Sequence, residues 1–350
     1  MHMIEHSKPS LGKEEEKAAL RVIKSNFLAE GEEVRKFEGE VSDFIGCKGG
    51  VAVSTGTLAL HLALLALKVG SDDEVIIPSY SCRSILNSVI YCGAIPKLCD
   101  VNSDDYNISF NDAKNKITKR TKAIIVPHMF GCPAEIDKFS ELGVSIIEDC
   151  AHSIGAEYKG KKLGSWGDLS VFSFEGTKYI VTGEGGMVSA NSDLLLDRLR
   201  KLKEPDSFDF KAKYTYRMTN LQAAIGREQL FKLNYFIKKR REIAKIYSKA
   251  FSKLDIDLPQ ELTNGRHIYH RYMIKIKKDI NLFMRQCYKK GIKVKRPIKP
   301  YPSYRYLRLP DKKFPNTAHI MKTAVSIPIY PLLTNEELEL IIKTVNINLK

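Results

Sequence analysis

The residues able to do chemistry concentrate in 146–186, IIEDCAHSIGAEYKGKKLGSWGDLSVFSFEGTKYIVTGEGG. An apolar run ends in the acidic pair Glu148-Asp149, and His152 follows closely. A second apolar run delivers Ser173 and then Lys178, before the turn Gly183-Glu184-Gly185-Gly186. A carboxylate, an imidazole, a hydroxyl and an amine therefore leave the ends of adjacent predicted strands. An amine can form a Schiff base, a carboxylate can keep a ring nitrogen protonated, and a hydroxyl can donate to a phosphate. Together they suit a phosphorylated pyridine aldehyde, pyridoxal phosphate.

A second signal lies upstream. VAVSTGT at 51–57 runs into LALHLALLAL, which reads as strand, tight turn and helix N-terminus. Unpaired backbone N–H groups point outward at such a junction and attract anions. Gly56 and Thr57 are expected to take a phosphate there, with Ser173 as a further donor. Taken singly, each residue also has a plain structural role. Lys178 would be a surface lysine, Asp149 or Thr57 a helix cap, His152 a packed histidine. The conjunction is what points to a cofactor.

The positioning elements follow from hydrophobic spacing. Apolar, β-rich runs occur at 51–54, 74–78, 95–101, 123–127, 145–148, 169–174 and 186–190. Helical stretches at 58–67, 84–91 and 136–142 separate several of them, which argues for a mainly parallel sheet covered on both faces. Ligands in such sheets bind beyond the carboxyl ends of the strands, where the chemistry-bearing residues fall. The expected organisation is an arm over 1–12, a large domain over 13–235 and a small α+β domain over 236–350. A long helix near 220–254 joins the two, and a Pro-rich loop is expected over 297–315.

Composition narrows the class. Of 350 residues, 43% are hydrophobic and 28% charged, the balance of a soluble globular chain. No apolar run suits a bilayer span, and the first residues lack the order of a signal peptide, so a cytoplasmic protein is expected. Seven scattered cysteines suggest neither a disulfide framework nor a metal site. The net charge of +15 favours anionic partners. No nucleic-acid-binding motif accompanies it, so it reads as a lysine-rich surface or as steering for an acidic small molecule. The basic segment from Lys293 to Lys299 is a candidate diphosphate contact, with Arg296 first.

The chain resembles the pyridoxal-phosphate-dependent nucleotide-sugar aminotransferases of the DegT/StrS family, which have the aspartate aminotransferase fold. STGTLALHLAL, DEVIIPSYS, IIEDCAHSIGA, GSWGDLSVFSF, TKYIVTGEGG, YRMTNLQAAIGREQL and SIPIYPLLTNEEL carry the likeness along nearly the whole length. The resemblance implies a seven-stranded, mainly parallel sheet in the large domain. It assigns Lys178 as the Schiff-base lysine and proton shuttle, Asp149 as partner of the ring nitrogen, and His152 as a neighbour of the ring's phenolic oxygen. Gly56, Thr57 and Ser173 hold the phosphate. It further implies a homodimer with shared active sites, glutamate as amino donor, and a nucleotide-linked keto sugar as acceptor for surface polysaccharide or glycan synthesis.

Three positions depart from the family pattern. Cys82 stands where many members place an aromatic ring on the cofactor, and strand alternation would turn nearby Tyr80 to the same face. Thr215 replaces the partner-subunit asparagine that often reaches the phosphate, and Cys132 replaces a glutamine. A dehydratase branch carries histidine in place of the lysine, and Lys178 argues against that branch. A cyclitol ketone or a keto sugar without nucleotide is the alternative substrate, and a non-catalytic regulator that kept the fold is the alternative class.

Overall fold

The computed structural model describes residues 3–203, 213–298 and 300–350. The irregular stretch expected around Pro205, the start of the N-terminal arm and Lys299 of the basic segment lie outside the described residues.

Seven strands form the main sheet: β1 (Gly49–Val53), β2 (Glu74–Pro78), β3 (Ile95–Cys99), β4 (Thr121–Pro127), β5 (Ser145–Asp149), β6 (Leu169–Ser173) and β7 (Gly186–Ala190). Their spatial order is β1-β7-β6-β5-β4-β2-β3. β2 to β6 pair in parallel, while β7 runs antiparallel to both β1 and β6. Successive side chains alternate between two cores, as the strand period of two requires. Ile76, Ile124, Phe172 and Met187 pack with α2 (Glu32–Ile45) and the front of the long helix. Ile77, Ile125, Val171 and Val188 pack with α3 (Gly56–Ala66) and with the helix at Asp193–Lys203.

The long helix, α4 (Asn220–Phe251), begins at a capping box of Thr219 and Gln222 and runs for 32 residues. Leu233, Phe236 and Ile237 enter the first core, whereas Ile243, Tyr247 and Phe251 enter a third. That third core is built on a small antiparallel sheet of β8 (Ile256–Asp257), β9 (Tyr272–Ile276) and β10 (Ala324–Ile327). Periodicity placed α4 correctly because apolar residues recur every three or four positions over its whole length.

The extended N-terminal arm is docked on the small sheet's core: Ile4 bridges Ile292 and sits in the third core, and His6 is buried. The Pro-rich stretch contains a short helix at Ser303–Tyr306, because Tyr304 and Phe314 are buried against the second core. Among the described residues, no helix is long and apolar enough to cross a membrane.

Candidate functional site

Strand ends and a helix start converge on one cavity of about 330 Å³. Gly56, Thr57, Cys82, Asp149, Ser173 and Lys178 all line it. The parallel strands β5 and β6 end in Asp149 and Ser173 at neighbouring positions of the sheet. Beyond β6 the chain turns: Gly176 N donates to Gly183 O at 3.0 Å and Thr182 N to Phe174 O at 2.8 Å. That reversal carries Lys178 back over the strand ends.

The helix start is built for close approach. Thr55, not Thr57, caps it, accepting from Leu58 N at 3.2 Å. Thr57 is thereby released to the cavity, where its hydroxyl donates to Ser84 Oγ at 2.9 Å. A Cβ on Gly56 would fall 2.7 Å from Ser173 Cβ, and one on Gly186 would fall 2.4 Å from Thr55 O. Only glycine lets these backbones meet, which explains the GEGG run physically.

Electrostatics distinguish the two chemical groups. Burial lowers the pKa of the Lys178 amine, and Arg271 adds to the effect, while Cys82 and Asp149 pull the other way. Among the described residues no hydrogen bond engages Nζ. Burial raises the Asp149 carboxyl, against the Ala151 N–H that reaches Oδ1 at 3.0 Å and the nearby charge of Lys178. An amine that releases its proton easily thus stands near an acid that needs a cation.

Some expected site residues fall elsewhere. His152 does not line the cavity; it stacks between Phe130 (5.8 Å) and His270 (4.4 Å). Burial holds its imidazole well below the usual range, with the charges of Lys178 and Arg271 adding to it. Thr215 is exposed on the segment before α4. Arg296 is occupied within its own surroundings, donating to Met321 O and Asn281 Oδ1, each at 3.0 Å.

Tyr80 corrects the sequence argument. It is 1% exposed and packs against Tyr106 and Phe130, away from the cavity lining. Strand alternation ceases to apply because β2 ends at Pro78, and Cys82 is already the N-cap of the helix Arg83–Tyr91. Cys132 is buried beside Pro133 and also off the cavity.

Ser84, Glu175 and Glu184 line the cavity without having been singled out for it. Glu175 lies between Ser173 and Lys178 and Glu184 within GEGG, which was the available signal; Ser84 lies just past DEVIIPSYS. Glu148 went unassigned although it supports Asp149. Its carboxylate accepts from Gly164 N (2.8 Å), Trp166 N (2.7 Å), Gly167 N (2.8 Å) and His128 Nε2 (3.0 Å). Cys150 adjoins this pair, but the carboxylate oxygens are already saturated by donors, so the cluster is a brace for the end of β5.

A doubly covered, mainly parallel sheet with a lysine, a carboxylate and a helix N-terminus at its carboxyl ends has the architecture of an α/β ligand-binding enzyme site. The chain belongs to the DegT/DnrJ/EryC1/StrS aminotransferase family, whose pattern matches residues 9–346. It is 38% identical over 278 residues to a GDP-perosamine synthase of Vibrio cholerae, covering 76% of each chain. It is 31% identical to the spore coat polysaccharide biosynthesis protein SpsC of Bacillus subtilis, over 98% of this chain and 96% of that one. Among solved structures, the aminotransferase TlmJ from Streptoalloteichus hindustanus superposes with a TM-score of 0.92 at 28% identity, covering 99% of both chains.

Proposed function

We propose that the protein is a pyridoxal-phosphate-dependent aminotransferase. It would move an amino group from glutamate to the keto sugar of a nucleoside-diphosphate sugar, in the cytoplasm, for surface polysaccharide or glycan synthesis. The observation that carries the proposal is the convergence of the Lys178 amine, the Asp149 carboxylate and the open end of α3 on one cavity. The relatives named for GDP-perosamine and spore coat polysaccharide synthesis support the sugar substrate, and the former supports a GDP-linked one.

The donor set fits the cofactor. Gly56 keeps the space against Ser173 free of a side chain, and Thr57, Ser84 and Ser173 add hydroxyls around the α3 amides. A phosphate matches that cradle. Asp149, an acid whose pKa burial has raised, would have its charged form stabilised beside a protonated ring nitrogen. When bound, pyridoxal phosphate supplies an electron sink and a temporary seat for the amino group.

Lys178 would anchor the cofactor and carry the proton at Nζ in both half-reactions, which its lowered pKa favours. His152, held neutral and stacked, would buttress the ring side of the site. Cys82 would present a thiol to the ring face in place of an aromatic side chain. In a homodimer, the exposed Thr215 would reach the partner's phosphate site, and Arg296 would meet the substrate diphosphate.

Spectroscopy tests this reading. The holoenzyme should absorb in the visible, lose that absorption in Lys178→Ala, and lose it reversibly on addition of glutamate. A colourless protein that refuses added cofactor would remove the enzyme reading, and indifference to glutamate would remove the donor.

A further inference from the structure

Arg240 is buried and Arg271 half-buried, both beside His270, and they are compensated very differently. Arg240 donates to the carbonyls of His270 (3.0 Å) and Ile329 (2.6 Å), and its guanidinium lies 4.7 Å over the Tyr179 ring. Arg271, the residue before β9, has one side-chain partner among the described residues. Its Nη1 donates to His6 Nδ1 at 3.1 Å. Arginine can only donate, so the imidazole accepts; Nε2 of His6 lies 3.4 Å from the same Nη1 and 2.8 Å from Ser326 Oγ. The N-terminal segment thus props this guanidinium with the imidazole of His6.

The opposite edge of the fork has nothing to bind. Nε of Arg271 is buried without a hydrogen-bond partner, and among the described residues no carboxylate pairs with the group. A buried N–H left unpaired is costly, and the cost is recovered when an acceptor enters. The backbone N–H of Arg271 donates to Phe130 O at 3.4 Å, and the rings of Phe130 and of the adjacent His270 stack on His152, three residues beyond Asp149, which places it on the reaction side of the fold. Lys178, His152 and His270 all sense its charge, and it is itself influenced by Tyr80 and Glu175. Burial pulls its pKa down to about 10, which leaves it charged at neutral pH.

We propose that Arg271 seats an oxyanion group of the substrate that reacts at Lys178, a carboxylate of the amino donor or a phosphate of the nucleotide sugar. The proposal rests on the Lys178 cavity being the reaction site. His6 occupies Nη1, and the remaining Nε/Nη2 edge is the one that takes both oxygens of a carboxylate or phosphate side-on. The donor carboxylate is the nearer match. It hangs from the same carbon as the amine that must reach the cofactor, whereas a diphosphate is separated from the reacting carbon by the sugar ring.

The experiment is calorimetric titration of the holoenzyme with glutarate and, separately, with GDP, for wild type, Arg271→Gln and Arg271→Lys. Arg271→Gln should weaken one probe by about ten- to a hundredfold, the value of a charged hydrogen-bonded pair. A loss confined to glutarate identifies the donor carboxylate; a loss confined to GDP identifies the diphosphate. Arg271→Lys guards against misfolding of the first variant. It keeps the charge but loses the fork, so KM for that same substrate should rise with kcat little changed. Unaltered affinity for both probes overturns the proposal. Wild type that keeps its visible chromophore yet binds neither anion removes this inference alone, whereas loss of both chromophore and binding removes the aminotransferase reading as well.

Discussion

Replacing Glu148 by alanine should destabilise the apoprotein by roughly 4 kcal/mol, although Glu148 does not line the cavity. Its carboxylate is fully buried and accepts from the backbone amides of Gly164, Trp166 and Gly167 and from His128 Nε2. Each buried donor left unpaired costs about 1–3 kcal/mol, and water entering the vacated space recovers part of the sum. Glutamine is not a neutral replacement. Its amide oxygen can serve Trp166 and Gly167, but its NH₂ would face two donors, Gly164 N and His128 Nε2. His128 cannot readily change tautomer, because its Nδ1 already accepts from Ala134 N at 3.0 Å. Glu148→Gln should therefore recover no more than about half of the loss. Urea unfolding of the apoprotein with an unchanged m-value measures this free of cofactor linkage. A loss under about 1 kcal/mol for Glu148→Ala would refute the accounting of these donors. The pH dependence adds a second check. Burial, the largest influence, acts to raise the Glu148 pKa, yet the His128 and backbone hydrogen bonds outweigh it and hold the carboxyl below its ordinary value. Stability from Glu148 is then present above the unfolded-state pKa and lost as pH falls through the folded one. The alanine variant should be less acid-sensitive than wild type.

Gly56→Ala would place Cβ 2.7 Å from Ser173 Cβ and 3.4 Å from its Cα, so cofactor affinity should fall by roughly tenfold or more in an absorbance titration. Unchanged affinity would mean that the phosphate lies elsewhere. Cys82→Phe fills an exposed cavity-lining position with a ring and should tighten cofactor binding by about two- to tenfold; no change would show that residue 82 does not meet the ring. The rate of cofactor capture by the apoprotein should rise with pH and level off below the usual lysine range, because burial lowers the Lys178 pKa. Asp149→Asn removes a charge that raises that pKa, so the midpoint should move lower still.

Sequence alone determined the layered α/β sheet, since short β-rich apolar runs alternate with helical stretches along the large domain. It also singled out residues that the fold brings to one cavity: Lys178 by its place before GEGG, Asp149 by ending an apolar strand, and Gly56-Thr57 by the strand-to-helix junction. These are local signals, set by residues close along the chain. Tertiary structure decided everything that depends on distant partners. The local turn geometry, which residue type alone does not fix, made Thr55 the cap, and Ser84, 27 residues on, took the Thr57 hydroxyl. Tyr80 went into a distant aromatic cluster once the strand period ended at Pro78. Glu148 became a brace through donors 16 to 20 residues away. The Arg271–His6 contact spans 265 positions, and no period or motif encodes it. The stretch around Lys178 carries its groups within one local run; only the folded chain decides which distant side chains come to stand beside them.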